Sequence, residues 1–227
     1  MTNINKNSLL GLGPNSKKIK KYKAQLTNLT STQFDSAIGL ILGDASLNTD
    51  NKGKTYRIKF EWGNRQKPYV DHVLTLFDEW IISPPHKKVR ISPKGNTITN
   101  WGFQTFSHPA FNVLADLFLV NNVKMVPSLL IKNHLTARGL AYWFMDDGGK
   151  LDYNKNSKNK GIVLNTQSFT SSDVGIMCQE LIEKFNLDCE IRLNKNKSVI
   201  IIKGNSYQLF LSLIDPYIID EMRYKLP

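Results

Sequence analysis

The sequence predicts an α/β protein (α+β) built from two similar halves of about one hundred residues. Three observations predict it. Two short apolar helices each end in an aspartate. Each helix is followed by the same succession of strands, helix, strands and helix. A lysine just before a proline then recurs at nearly the same distance from each aspartate. A period of this length exceeds the ~20–50 residues of solenoid repeats and fits a duplicated domain with an approximate twofold axis, a single-chain version of a symmetric dimer.

Composition bounds the possibilities. The 227 residues are 41% apolar and 22% charged, ordinary for a chain that buries a core. No apolar run approaches the ~18–20 residues of a membrane span, so no membrane partner is expected. Cys178 and Cys189 form no ligand cluster, which argues against a zinc finger or a disulfide scaffold. Thirty Lys and Arg against nineteen Asp and Glu leave a net charge of +11 and a pI near 9.6, the balance expected of a protein that neutralises phosphates.

The first thirty residues hold Lys6, Lys17, Lys18, Lys20, Lys21 and Lys23 and no acid. They lack the arginines of a transit peptide and the apolar core of a secretory signal. We expect a basic arm over 1–30, with Lys17, Lys18 and Lys20 along a nucleic-acid backbone. A helix is predicted over 32–45, with Ser31 or Thr32 as its cap. Its run from Ala37 to Ala45 is apolar nearly all round, so it should be buried on most sides. Strands are expected over 55–62, 87–91 and 97–106, with helices over 69–81 and 108–120. The second half repeats the scheme. A helix capped by Thr136 runs to Asp147 and stops at Gly148-Gly149. Strands follow over 161–169, 189–193 and 198–203, with helices over 171–185 and 206–213. The corresponding divisions are 31–125 and 126–227.

The spacings tighten the repeat. Asp147 lies 103 residues after Asp44, Lys124 lies 80 after Asp44, and Lys225 lies 78 after Asp147. If the two helices pack side by side, with Gly39 and Gly43 as a ridge that permits close approach, both aspartates meet at the helix C-termini. The helix dipoles add negative charge there, so the pair is unfavourable unless a cation sits with it. Oxygen ligands without a histidine or cysteine cluster point to a hard ion, Mg²⁺ or a close substitute. Carboxylates holding hard cations on a basic protein suggest phosphodiester hydrolysis. Lys124 and Lys225 then offset charge at a scissile phosphate or organise and deprotonate the attacking water.

The two segments, Ala37 to Ala45 and Leu140 to Gly148, resemble the double motif of the LAGLIDADG homing endonucleases, in the monomeric class that carries both motifs in one chain. Further stretches are similar to omega-type mitochondrial intron-encoded endonucleases of that family: 12–16, Phe60-Glu61-Trp62, 83–88, 141–150 and 164–169. The similarity covers essentially the whole chain. It implies two pseudo-twofold-related subdomains, each a saddle-shaped antiparallel sheet backed by helices, with the motif helices packed at the centre. It implies that Asp44 and Asp147 hold metal and that Lys124 and Lys225 are the peripheral basic residues. Gly43 and Asp146, which precede the two aspartates, are taken as further candidate metal neighbours. Ala37, Ala45, Tyr142, Trp143 and Phe144 depart from the family pattern, so the helix contact should be asymmetric. The pattern also leads us to expect a short tail after Lys225-Leu226-Pro227.

The implied activity is a site-specific, metal-dependent double-strand break at a long asymmetric DNA target, the intron insertion site. Mg²⁺ is the expected cofactor, Mn²⁺ the expected substitute, and Ca²⁺ is expected to bind without supporting cleavage. Alternation places Tyr56, Ile58, Phe60 and Trp62 on one strand face and Arg57, Lys59 and Glu61 on the other. Lys88 and Arg90 oppose Val89 and Ile91, and Glu190, Arg192 and Asn194 oppose Cys189, Ile191 and Leu193. These polar faces suit a ribbon in the major groove, with Gln104, Asn165 and Gln167 as candidate base readers. His72, His86, His108 and His134 share no ligand spacing, which argues against a histidine-centred nuclease. The alternatives are an RNA maturase, a role taken by some members of the family, and an inactive DNA-binding relic. A Lys/Asn/Ile-rich chain with no transit signal suggests synthesis inside a mitochondrion.

Overall fold

The computed structural model describes residues 4–13, 15–154 and 158–227. Pro14, part of the 12–16 stretch singled out above, lies outside them. The chain forms two compact units, Met1–Gln33 with Ala45–Val113 and Phe34–Asp44 with Leu114–Pro227.

In the first unit a 3₁₀ turn, Lys6–Leu9, precedes helix α1 (Lys17–Lys23), which is capped by Ser16. The expected basic arm is thus folded structure, because Ile19 and Tyr22 bury themselves with Leu9 against Ile82 and Phe106. The Tyr22 hydroxyl donates to the Glu79 carbonyl at 2.8 Å. Lys17, Lys18 and Lys20 remain exposed. Helix α2 (Ser31–Leu42) starts one residue earlier than expected. Thr30, not Ser31 or Thr32, caps it: the Thr30 side chain accepts from the Gln33 N–H at 3.2 Å, while the Gln33 side chain accepts from the Thr30 N–H at 3.0 Å.

Strands β1 (Ser46–Asn48) and β2 (Arg57–Gly63), helix α3 (Lys67–Leu76), and strands β3 (His86–Ile91) and β4 (Thr97–Gln104) complete this unit's framework. The sheet is antiparallel in the order β1-β2-β4-β3. Along β2 the predicted alternation holds: Ile58, Phe60 and Trp62 are buried, and Arg57, Lys59 and Glu61 are half-buried. The Phe60 ring lies tilted 4.9 Å from Phe103 and 5.6 Å from Phe77, so the core lies under the middle of the sheet. Toward the β3–β4 turn that cover ends, and Val89 and Ile91 are exposed rather than buried. The expected helix over 69–81 breaks at Phe77 into a separate 3₁₀ turn, Asp78–Trp80.

Helix α4 (Asn112–Phe118) leads to a hairpin not anticipated from sequence, β5 (Leu119–Val120) and β6 (Val123–Lys124). Asn121 and Asn122, both at positive φ, form its two-residue turn. Helices α5 (Leu130–His134) and α6 (Ala137–Asp147) follow, the latter capped by Thr136 as predicted. Gly148 ends α6 in extended backbone, not in a left-handed cap. A glycine is required there because a Cβ would fall 2.1 Å from the Phe144 ring and 2.5 Å from its carbonyl oxygen.

Strand β7 (Gly148–Lys150) begins at once. Strand β8 (Ile162–Leu164), helix α7 (Ser171–Phe185), strands β9 (Cys189–Asn194) and β10 (Lys197–Ile202), and helix α8 (Tyr207–Ile214) then close the second unit. Its sheet order, β7-β8-β10-β9, repeats that of the first. β8 is shorter than expected because 166–169 turn back, the Phe169 N–H bonding the Thr166 carbonyl. Ile191 and Leu193 on β9 are exposed, the counterpart of Val89 and Ile91.

Candidate active site

Within the second unit, α2 and α6 meet backbone to backbone. A Cβ at Gly39 would fall 2.0 Å from the Gly139 carbonyl oxygen, and one at Gly139 would fall 2.9 Å from the Asp35 carbonyl oxygen. Only glycine permits this approach. One turn further on, Gly43 faces Asp146: a Cβ at Gly43 would fall 2.5 Å from the Asp146 Cβ. The ridge predicted from Gly39 and Gly43 is therefore the contact line. It carries both helices to a shared C-terminal end, where Asp44 and Asp147 follow.

The two aspartates differ in exposure. Asp44 is exposed, and Asp147 is mostly covered. Burial, reinforced by the charge of Asp44, pushes the Asp147 carboxyl up to about 7, against the pull of Lys124 and Lys225. A carboxylate so disfavoured as an anion gains from a neighbouring cation. Among the described residues no group of three or more His, Cys, Asp or Glu side chains is arranged to hold a metal ion by itself. The donor set is thus two carboxylates with backbone carbonyls, all hard oxygen. It fits Mg²⁺-like ions, with the remaining ligands coming from water and substrate.

Each lysine caps one helix end. Lys124 is carried on β6 opposite Leu119, and its Nζ donates to the Gly43 carbonyl at 3.2 Å, one residue before Asp44. The same ammonium lies 5.0 Å from the centre of the Phe169 ring. Lys225 ends a 3₁₀ turn, and its Nζ donates to the carbonyls of Met145 at 2.5 Å and Asp146 at 2.7 Å, just before Asp147. Cations here complement the helix dipoles. Burial lowers the pKa of both amines, and the neighbouring carboxylates oppose that shift: Asp147, Asp146 and Asp44 for Lys124, and Asp146, Asp147 and Asp44 for Lys225. The structure thus brings together Asp44, Asp147, Lys124, Lys225, Gly43 and Asp146, all of which the sequence had singled out.

Asn165 and Gln167 lie beside this group. The Asp147 carbonyl accepts from both the Asn165 N–H and its Nδ2, each at 2.9 Å. The Gln167 Nε2 reaches the Asn165 Oδ1 at 3.3 Å. Arg192 and Asn194 sit on exposed β9, with Arg192 paired to Glu190. In the first unit, Arg57 is bound to Asp50, to Gln104 at 3.1 Å and to Ser107 at 3.3 Å. Glu61 pairs with Lys88 and accepts from Asn100 at 3.0 Å, contacts that hold its carboxyl below the usual range. Lys59 is half-buried, whereas Arg90 and Gln104 are exposed. Sequence reasoning gave no role to Phe169 or to the Asn121-Asn122 turn that delivers Lys124. The adjacent asparagines were the available signal for that turn.

Residues 34–210 match the profile of the LAGLIDADG DNA endonuclease family. A protein named probable intron-encoded endonuclease 1, from Wickerhamomyces canadensis, is 49% identical over 223 residues, 98% of this chain and 96% of its own. Cytochrome b mRNA maturase bI2 of Saccharomyces cerevisiae is 30% identical over 238 residues, spanning 100% of this chain and 54% of its own length. The solved structure of the homing endonuclease I-WcaI bound to its DNA recognition sequence is 49% identical, with a TM-score of 0.94 over 99% of this chain and 98% of that one.

Proposed function

Because the chain belongs to the LAGLIDADG DNA endonuclease family, we propose that it is a homing endonuclease. It makes a metal-dependent double-strand break in one long asymmetric DNA site, the insertion site of the intron that encodes it, and it is made inside a mitochondrion. The observation that carries this is the convergence of Asp44 and Asp147 at two touching helix ends, each end held by its own lysine.

Asp44 and Asp147 would hold Mg²⁺, or Mn²⁺ in its place, with the Gly43 carbonyl at hand. Such an ion would supply Lewis-acid polarisation of the phosphodiester. Lys124 and Lys225, desolvated and fixed by carbonyl oxygens, orient an attacking water or neutralise the charge developing on the phosphate. Exposed Lys17, Lys18 and Lys20, the polar strand residues Lys59, Lys88, Arg90, Arg192 and Asn194, and the glutamines Gln104 and Gln167 line up against phosphates and base edges. Arg57, Glu61, Lys88 and Arg192 enter already paired, so DNA must compete for them.

Asp44→Asn and Asp147→Asn should each abolish cleavage of a duplex carrying the insertion site, while the dissociation constant stays near the wild-type value. Less negative charge in the cleft does not weaken the hold on phosphates. Near-normal Mg²⁺-dependent cutting by either variant would remove the assignment. One observation favours a second activity in the same protein, namely similarity over the whole of this chain to about half the length of a relative named as an mRNA maturase. A splicing assay on the encoding intron, run with the two aspartate variants, separates RNA work from DNA cutting.

A further inference from the structure

The residues before the two aspartates are equivalent in the repeat but opposite in chemistry. Gly43 precedes Asp44, and Asp146 precedes Asp147. We infer that Asp146 is a positioning residue whose buried carboxylate fixes the backbone of Asp44 from the opposite helix, and that this carboxylate is not itself a cation ligand. The inference rests on the endonuclease reading above.

Four observations carry it. The Asp44 N–H donates to Asp146 Oδ2 at 3.1 Å. It does so where α2 has ended: Leu42 is its last residue, and the Gly43 N–H makes the last intrahelical bond, to the Gly39 carbonyl at 3.0 Å. Asp146 is only 6% exposed, whereas Asp44 stands in solvent. Gly43 packs so closely on Asp146 that a methyl group there would collide with its Cβ, carboxyl carbon and Oδ2 at 2.5, 2.9 and 2.6 Å. The carboxylate therefore fills the space left by the missing side chain of its own counterpart, and from there it grips the next residue.

Asp44 lies just past the end of α2. A charged acceptor on its N–H is worth more than a neutral one and sets where the Asp44 carboxylate points. The mirror-image bond, from a side chain at 43 to Asp147, is impossible because Gly43 has no side chain. The Asp147 main chain is held instead through its carbonyl, by Asn165. The two halves of the site are thus fastened by different chemistry, and loss of Asp146 should injure the one built on Asp44.

The test compares Asp146→Ala, which removes the acceptor, with Asp146→Asn, which keeps an oxygen at that position without the charge. For Asp146→Ala we expect Asp44 amide exchange in the metal-free protein to quicken by about tenfold, the loss of one hydrogen bond. Single-turnover cutting of one strand should fall by about 10²-fold, the scale of a small misplacement, with DNA affinity unchanged. Asp146→Asn should restore both the protection and most of the rate. If Asp146→Asn is as inactive as Asp44→Asn while the Asp44 amide remains protected, the carboxylate acts as a ligand and the inference is overturned. It is equally overturned if Asp146→Ala leaves exchange and both strand rates unchanged. A wild-type protein that cuts no duplex DNA would defeat the endonuclease reading, while the exchange measurement would still decide what Asp146 does.

Discussion

Asp147 retains its proton in the folded chain up to about pH 7, whereas the ordinary value is 3.8, chiefly because of burial and secondarily because of Asp44. Below 3.8 both folded and unfolded chains are protonated at this group. Between 3.8 and about 7 the unfolded chain releases a proton that the folded chain keeps, so stability falls as pH rises and the loss is complete above 7. Asp147→Asn should therefore stabilise the metal-free protein at pH 8, by up to about 4 kcal/mol, and leave it unchanged at acid pH. Melting curves at the two extremes measure this. Mg²⁺ should raise the melting temperature at pH 8 and do so far less at pH 5, where the proton competes for the site. The lysines carry a separate expectation. Each is bonded to the carbonyl just before one aspartate, so each should serve one strand. Lys124→Met and Lys225→Met should accumulate nicked DNA, with single-turnover rates on one strand reduced by about 10²–10⁴-fold if they act in proton transfer. If only affinity falls and the salt slope drops by about 1, they are phosphate clamps.

At the scale of elements, glycines separate contact from convenience. Gly39→Ala forces a methyl group into the Gly139 carbonyl at 2.0 Å, and urea denaturation should show a loss on the order of 3 kcal/mol. Gly175, in the middle of α7, has nothing within 4 Å of a Cβ. Gly175→Ala should instead stabilise by about 0.5–1 kcal/mol. The same elements show what the sequence could disclose. The long amphipathic helix α7 and the alternating strand β2 were legible because each buries one face of a strict period. The 3-residue strands β1 and β7 were not, since they begin within four residues of a helix end and carry no period of their own. The fold of α1 was hidden because its five lysines outweigh the two apolar residues, Ile19 and Tyr22, that decide where it packs. Val89, Ile91, Ile191 and Leu193 alternate as predicted yet lie in solvent. A two-residue period states which side a residue is on, not whether anything covers that side.

For the whole molecule, both aspartates, both lysines and both glycine contacts belong to one chain, so no second copy is needed to complete the site. We expect a monomer binding one duplex target with unlike half-sites. Sedimentation of the protein with a single labelled duplex should give a one-to-one complex, and a complex containing two protein chains would refute this. The candidate site was the most legible part of the sequence because a repeated offset is independent of fold detail. What the sequence left dark was how that site is secured. Asn165 and Asp146 hold main-chain atoms, and main-chain atoms are the same in every residue.

The touching backbones at Gly39 and Gly139 have a consequence for ancestry. Once two duplicated segments are joined through carbonyls and bare α-carbons, neither can accumulate substitutions along that seam without the other. The flanking strands stay free to diversify, and with them the address that the protein reads. A hybrid assembled by exchanging halves with a cousin should therefore survive when both seam helices travel together as one cassette, and collapse when the crossover falls between them.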